Sequence, residues 1–534
     1  MQIIKRYLTF LVIAVTCGQL IIACDGSQGE VELQEAISEA PQPQASKAGN
    51  ETFSAQQDIA EDTGGESYDS ITENNFQAAA NQPLSTFAID VDTAAYTNVR
   101  RFLNNGQLPP TDAVRIEELI NYFAYEYPQP TGKDPFSITT EVSTAPWQPK
   151  HKLVRIGLQG KQIATEELPP SNLVFLLDVS GSMNDANKLP LLKSGFRLLV
   201  NELSEKDRVS LVVYAGAAGL VLPPTPGNQK EKILAAIESL EAGGSTAGGQ
   251  GIELAYQVAE ENFLAEGNNR VILATDGDFN VGVASDSELV KLIEKKREAG
   301  VFLTVLGFGT GNLQDSKMEK LADKGNGNYA YIDNILEAKK VLVTEIGGTL
   351  HTIAKDVKIQ VEFNPAQVQG YRLIGYENRL LQNRDFEDDT KDAGELGAGH
   401  SVTALYEVIP VGVESEVNLP EENLSSVKEF SGNSEELLQV RLRYKQPDAA
   451  TSQLIVNSLV DEQVPLSATS DDFRFAAAVA AYGMILRDSE YKGEANLKQV
   501  LELANESKGV DLQGYRGEFI SLVKSSQSLT SKLP

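Results

Sequence analysis

Between residues 172 and 347 the chain alternates between short apolar runs and stretches of helical period, and that alternation leaves few folds open. The apolar runs fall at 173–178, 208–214, 270–275 and 301–307, with a shorter one at 328–331. Helical patterns occupy 188–203, 229–240, 251–263, 287–299, 315–324 and 335–346. Strands that are apolar on both sides of the pleat are buried on both faces, which calls for a mostly parallel sheet with helices covering each side. The expectation is a doubly wound α/β domain over residues 171–350. In such sheets ligands bind outside the carboxyl ends of the strands, where the strand order reverses.

The flanks read differently. An α+β pattern precedes this domain over 86–170, with strands at 86–92, 137–143 and 153–158 and helices at 96–104 and 115–123. After it comes a β-rich stretch over 351–450, with strands at 357–363, 372–376, 404–409 and 439–444. A C-terminal helical segment over 451–534 follows, with helices at 473–486, 497–505 and 515–523. The first of these is apolar nearly all round, so it belongs inside a core and not on a surface. The β strands before and after the α/β domain are expected to pair, which makes that domain an insertion within a β-sandwich.

The N-terminus has the layout of an export signal. Lys5 and Arg6 form a basic start, and the apolar run over 8–15 is too short to cross a bilayer. Leu20-Ile21-Ile22-Ala23-Cys24 then resembles a bacterial lipobox. That resemblance implies removal of residues 1–23 and lipidation of Cys24. The protein would then be held at the cell envelope, on the periplasmic side of the inner or outer membrane or at the cell surface. Asp25 resembles the inner-membrane retention signal of enteric lipoproteins, a rule that does not hold in all bacteria, so the membrane is left open. The only other cysteine, Cys17, would leave with the signal, and the mature chain would have no disulfide. Residues 24–85 are acidic, poor in periodic apolar content and rich in Gln, Ala, Ser, Glu and Gly, which predicts a disordered tether. A coil of that length spans roughly 45 Å on average.

A formal net charge of −29 and a pI near 4.6 exclude nucleic acid and anionic headgroups as natural ligands. His151, His351 and His400 are dispersed, so neither a zinc spacing nor a serine-type triad is present. The Gly-rich run over 243–251 lacks the lysine of a phosphate-binding loop.

What remains is oxygen chemistry. The run at 173–177 leads into Asp178-Val179-Ser180-Gly181-Ser182, the run at 271–274 into Thr275-Asp276-Gly277, and Gly243-Gly244-Ser245-Thr246 precedes a helix. Asp178, Ser180, Ser182, Thr246 and Asp276 would supply two carboxylates and three hydroxyls at one sheet edge. These hard donors suit Mg²⁺, with Mn²⁺ also compatible, and a carboxylate from a protein partner could complete the shell. Alone, each of the three segments is an ordinary turn or helix cap; together and in this order they favour a metal site. Asp278 reads either as an outer-shell group or as a turn residue. Asp385, Glu387, Asp388, Asp389 and Asp392 crowd one loop without the spacing of a Ca²⁺ loop, so a solvated acidic loop is the favoured reading.

This set resembles the metal-ion-dependent adhesion site of von Willebrand factor A (VWA) domains. The resemblance implies that Ser180 and Ser182, usually with Thr246, bind the ion directly, and that Asp178 and Asp276 often act through water. Further segments resemble a bacterial VWA lipoprotein family: Phe87-Ala88-Ile89-Asp90-Val91-Asp92, Arg115-Ile116-Glu117-Glu118, Asn121-Tyr122-Phe123, the run 370–379 and Asp472-Phe473-Arg474-Phe475. The expected function is a non-enzymatic, envelope-anchored module that binds a partner protein through its metal, in adhesion or scaffolding. An accessory role in envelope assembly or stress response is the alternative. A Mg²⁺-assisted hydrolase ranks below both, because no general base or nucleophile is recognisable.

Overall fold

The strand Ser171–Asp178 is buried at all of its positions and stands inside a six-stranded sheet. The computed structural model describes residues 65–164, 167–244, 248–277, 279, 286–345, 351–420 and 430–531. Across this sheet the order is Tyr329–Ile332, Val301–Phe308, Asn268–Thr275, Ser171–Asp178, Arg208–Tyr214, Ala218–Pro226. The first five run parallel and the last is antiparallel. Leu173, Phe175 and Leu177 pack beneath the helices Leu189–Glu202 and Lys230–Glu238. Val174 and Leu176 enter the opposite core with Ile252, Leu289 and Met318. One strand therefore feeds two cores at period two, which is the doubly wound α/β arrangement.

Two features of this domain differ from the sequence reading. Ala218–Pro226 is a strand that the pattern did not predict, because Pro223, Pro224 and Pro226 argue against one. It survives as an edge strand, where proline's missing donor leaves no ladder bond broken. The expected helix over 335–346 is α-helical only at Ile335–Lys339 and continues as a π-turn over Lys340–Thr344.

The rest of the described chain is layered. One sheet orders Gln77–Ala78, Val368–Ile374, Ser401–Pro410, Gln148–Gly160 and Phe136–Ala145. The other orders Leu396–Gly397, Thr352–Phe363, Leu438–Lys445 and Gln453–Leu459, with Leu84–Ala88 also paired to Thr352–Phe363. Val154, Ile156 and Leu158 of the first sheet share a core with Val361, Phe363 and Leu442 of the second. On the opposite face of the first sheet, Leu153, Ile374 and Leu405 join the helices Ala94–Asn104, Ile116–Asn121, Asp471–Arg487, Leu497–Glu506 and Tyr515–Thr530. The α/β domain leaves after Gln148–Gly160 and returns into Thr352–Phe363, so it sits within this body as an insertion. Segments 86–170, 351–450 and 451–534, expected as consecutive units, are thus interleaved. Each carries a half-sheet or a helix whose apolar face only the others can cover.

Asp471–Arg487 shows why its sequence is apolar all round. Phe473, Phe475, Val479, Tyr482 and Met484 are all buried, and Ser470 caps the helix by accepting from the Phe473 N–H at 3.1 Å. The tether reading fails for residues 65–85. Glu66 takes a bidentate pair from Arg101 at 2.8 and 2.9 Å, Asn74 donates to the Leu373 and Gly375 carbonyls, and Gln77–Ala78 adds a strand. This segment is ordered by polar contacts, which hydropathy does not weigh, and by a few buried apolar residues, Phe76, Ala78 and Ala79. Residues 1–64, with the expected signal, Cys24 and the rest of the tether, lie outside the described residues.

Buried arginines fasten the insertion to the body. Arg100 reaches Asp333 at 2.9 Å, Glu337 at 2.8 Å and Glu518 at 2.9 Å. Arg115 pairs with Asp315 at 2.7 Å and Glu319 at 3.0 Å, and Arg379 also binds Glu319 at 3.0 Å, together with Asp323. Removing one partner of a buried pair strands the others. Arg100→Met is expected to lower unfolding stability by about 3–5 kcal/mol in urea titrations; a loss within ±0.5 kcal/mol would mean that the clamp carries no stability. Glu118 is buried beside this network, and burial pushes its carboxyl up to about 8 despite Arg115. A carboxyl raised in the folded state stabilises below its unfolded value, and that contribution is lost as pH rises through the folded one. Stability should therefore fall between about pH 5 and 8, and Glu118→Gln, which keeps an acceptor for the Ala95 N–H, should flatten that slope.

Candidate metal centre

At the carboxyl end of the buried strand the backbone turns sharply, and the turn is made by the acid it carries. Asp178 Oδ1 accepts from the Ser180 N–H at 2.8 Å. Its Oδ2 accepts from the Tyr214 hydroxyl at 3.2 Å and from Thr275 Oγ1 at 3.3 Å. Tyr214 and Thr275 are the last residues of the two flanking strands, so three strand ends meet on one carboxylate. This turn sets Ser180 Oγ 2.9 Å from Ser182 Oγ, with Ser180 buried and Ser182 exposed. Met183, fully buried, anchors the far side of the loop.

The glycine loop docks on the same turn. The Gly243 N–H donates to the Val179 carbonyl at 2.8 Å, and Gly181 N–H to the Gly244 carbonyl at 3.1 Å. Thr246, two residues on, lies outside the described residues, as does Asp278.

Asp276 follows the adjacent parallel strand and is 1% exposed. Its Oδ2 accepts from Lys188 Nζ at 2.9 Å, whereas its Oδ1 is buried without a hydrogen-bond partner among the described residues. Burial, opposed by the Ser180 hydrogen bonds, raises the Asp178 carboxyl above its ordinary range, and the charge of Asp276 adds to the rise. The structure thus gathers Asp178, Ser180, Ser182 and Asp276 at one sheet edge. Lys188, Tyr214 and Thr275 were not singled out from the sequence. Their shared signal was position: Tyr214 and Thr275 each end a central strand, and Lys188 immediately precedes a helix at that edge.

These residues fit a hard divalent cation. A buried carboxylate oxygen without a donor is costly, and a cation would satisfy it. The hydroxyl pair offers neutral oxygen donors at the same sheet edge, and Asp178, held by protein donors on both oxygens, is placed to orient the serines. Ser180 and Ser182 would hold the ion, with Asp276 balancing its charge.

Elsewhere the acidic loop is already neutralised by protein groups. Asp389 binds Ser452 and Arg443, Asp392 pairs with Arg297 at 2.6 Å, and Glu387 pairs with Arg443. His151 is engaged with Glu407 at 2.6 Å. Among the described residues no cluster of three or more His, Cys, Asp or Glu side chains is arranged to hold a metal.

Fold and sheet edge together define a VWA-type α/β protein. Family profiles agree: residues 172–343 match the von Willebrand factor type A domain, 62–155 a profile described as von Willebrand factor, and 348–529 one described as Uncharacterized protein YfbK, C-terminal. The Escherichia coli (strain K12) protein "Uncharacterized protein YfbK" is 45% identical over 474 residues, covering 87% of this chain and 81% of that one. The chain belongs to the YfbK family of VWA-domain proteins. Human inter-alpha-trypsin inhibitor heavy chain H3 is 32% identical over 178 residues, 31% of this chain and 19% of that protein. Among solved structures, a von Willebrand factor type A protein from Catenulispora acidiphila aligns with a TM-score of 0.39 at 15% identity, covering 73% of this chain and 91% of that one.

Gly277 tests how tightly the edge is built. It has φ +112°, and a Cβ there would stand 2.1 Å from the Asn312 carbonyl oxygen. Gly277→Ala should cost roughly 2 kcal/mol or more in chemical denaturation; an unchanged midpoint would show the Asp276 turn to be loosely held.

Proposed function

We propose that this protein is a non-enzymatic, divalent-metal-dependent binding module of the cell envelope. Mg²⁺ at Ser180, Ser182, Thr246 and Asp276 bridges to a carboxylate on a partner protein, and lipidated Cys24 ties the chain to the membrane. The observation that carries the reading is Asp276 Oδ1, buried without a hydrogen-bond partner among the described residues, at the sheet edge that also carries the paired Ser180 and Ser182 hydroxyls. A single cation at this edge would satisfy all three groups, and the exposed Ser182 leaves room for an incoming ligand. Among the described residues, no nucleophile or general base stands beside these groups in an arrangement suited to turnover: Asp178 is committed on both oxygens, and His151 is engaged with Glu407. The lipobox-like run ending at Cys24 supports the envelope assignment.

Mg²⁺ at about a hundred times its dissociation constant should raise unfolding stability by about 2.7 kcal/mol. Ser182→Ala, folded as judged by circular dichroism, should lose most of that increment. In envelope extract a partner should be retained by the Mg²⁺-loaded wild type and released by chelator or by Ser182→Ala. Equal retention in all three would move recognition away from the ion, and the proposal would fall.

A further inference from the structure

Lys188 is the one cation in direct contact with the candidate centre among the described residues, and its place is built by the backbone around it. It lies six residues beyond Ser182, immediately before the helix Leu189–Glu202. Its side chain is 6% exposed, and its ammonium donates to the fully buried Asp276 carboxylate at 2.9 Å. The stem runs past Gly309, just after the strand Val301–Phe308. Gly309 has φ +74°, and a Cβ there would stand 2.2 Å from Lys188 Cε and 2.5 Å from Cγ. The Tyr331 hydroxyl fixes that glycine by donating to its carbonyl at 2.6 Å. A side chain at 309 would expel the lysine; glycine admits it.

Charge counting shows what the lysine changes. Asp178 and Asp276 carry two negative charges, the hydroxyls are neutral, and a divalent cation would bring the sum to zero. A neutral centre has no net attraction for an anionic ligand. With Lys188 the loaded centre carries one net positive charge, and the Lys188–Asp276 pair that supplies it is shielded from bulk water, where such a charge acts strongly. The same ammonium repels the metal ion and takes up one oxygen of Asp276.

We infer that Lys188 is a resident counter-charge that weakens the centre's hold on its metal and strengthens the loaded centre's hold on a carboxylate ligand. The inference rests on the metal reading above and adds a residue to it. Lys188 is a positioning and charge-setting residue; it need not touch the metal or the ligand.

The test uses the full chain in detergent, with Mn²⁺ as the metal probe and acetate as the carboxylate. Free Mn²⁺ is read by electron paramagnetic resonance, and acetate binding by the fall in water-proton relaxation as bound water is displaced. Lys188→Met removes the charge at similar length, and Lys188→Gln keeps a donor towards Asp276 without the charge. Both should bind Mn²⁺ about tenfold more tightly than wild type and require about tenfold more acetate for half-response. Gly309→Ala, which crowds the lysine stem, should shift both quantities in the same direction. If Mn²⁺ affinity in the folded lysine variants is equal to or below that of wild type, Lys188 is a structural tie to Asp276 and the inference is overturned. Tighter Mn²⁺ with an unchanged acetate response overturns it as well, since the charge would then not reach the ligand. A wild type that binds no Mn²⁺ sinks the underlying metal reading and the inference with it.

Discussion

The candidate centre depends on the burial of one strand along its whole length. Ser171–Asp178 is covered on both faces, so its apolar side chains from Leu173 to Leu177 pack until the strand ends. Its first functional group is therefore at its carboxyl end. There Asp178 gathers the hydroxyls of the two neighbouring strand ends and turns the backbone through Ser180. The serine pair, the docked glycine loop and the placement of Asp276 follow from that turn. A carboxylate this deeply buried is tolerable because protein donors meet both of its oxygens. Among the described residues Asp276 lacks that satisfaction on one side, and the proposal of a bound cation rests on that difference.

The body around the insertion solves a different problem. Two half-sheets separated by the inserted α/β domain must find each other, and they do so by antiparallel pairing of Gln148–Gly160 with Ser401–Pro410 and of Leu84–Ala88 with Thr352–Phe363. Arg100, Arg115 and Arg379 then join the insertion to this frame through buried carboxylates. Part of the chain's large acidic excess is thus structural counter-charge and not only a solvating surface. Such pairs fix the orientation of packed units more surely than they add net stability.

Much of this was legible in the residues. The central sheet, its flanking helices and the acid-serine edge followed from buried-strand periodicity and from where strands end. The all-apolar helix Asp471–Arg487 was legible as an interior element for the same reason. What the pattern hid had local causes. Ala218–Pro226 looks like a loop because proline is excluded from central strands, and only its edge position makes it admissible. Gln453–Leu459 leaves Leu454 and Val456 half exposed, so it gives a weak core signal. Residues 65–85 are held largely by side-chain and backbone hydrogen bonds to partners hundreds of positions away, such as Asn74 to Leu373. Lys188 was invisible because its pairing with Asp276 depends on Gly309, more than a hundred residues later, leaving room for its stem.

The most direct measurement of the central claim is anomalous scattering from crystals of the protein grown with Mn²⁺. The account predicts one strong peak at the sheet edge, about 2.1 Å from Ser180 and Ser182 oxygens, the distance at which a small divalent cation takes oxygen ligands. Asp276 should lie in direct or water-bridged reach of the same peak. No peak there at saturating Mn²⁺, or a peak confined to the acidic loop 385–392, would contradict the account and leave the serine turn a structural feature of the strand end.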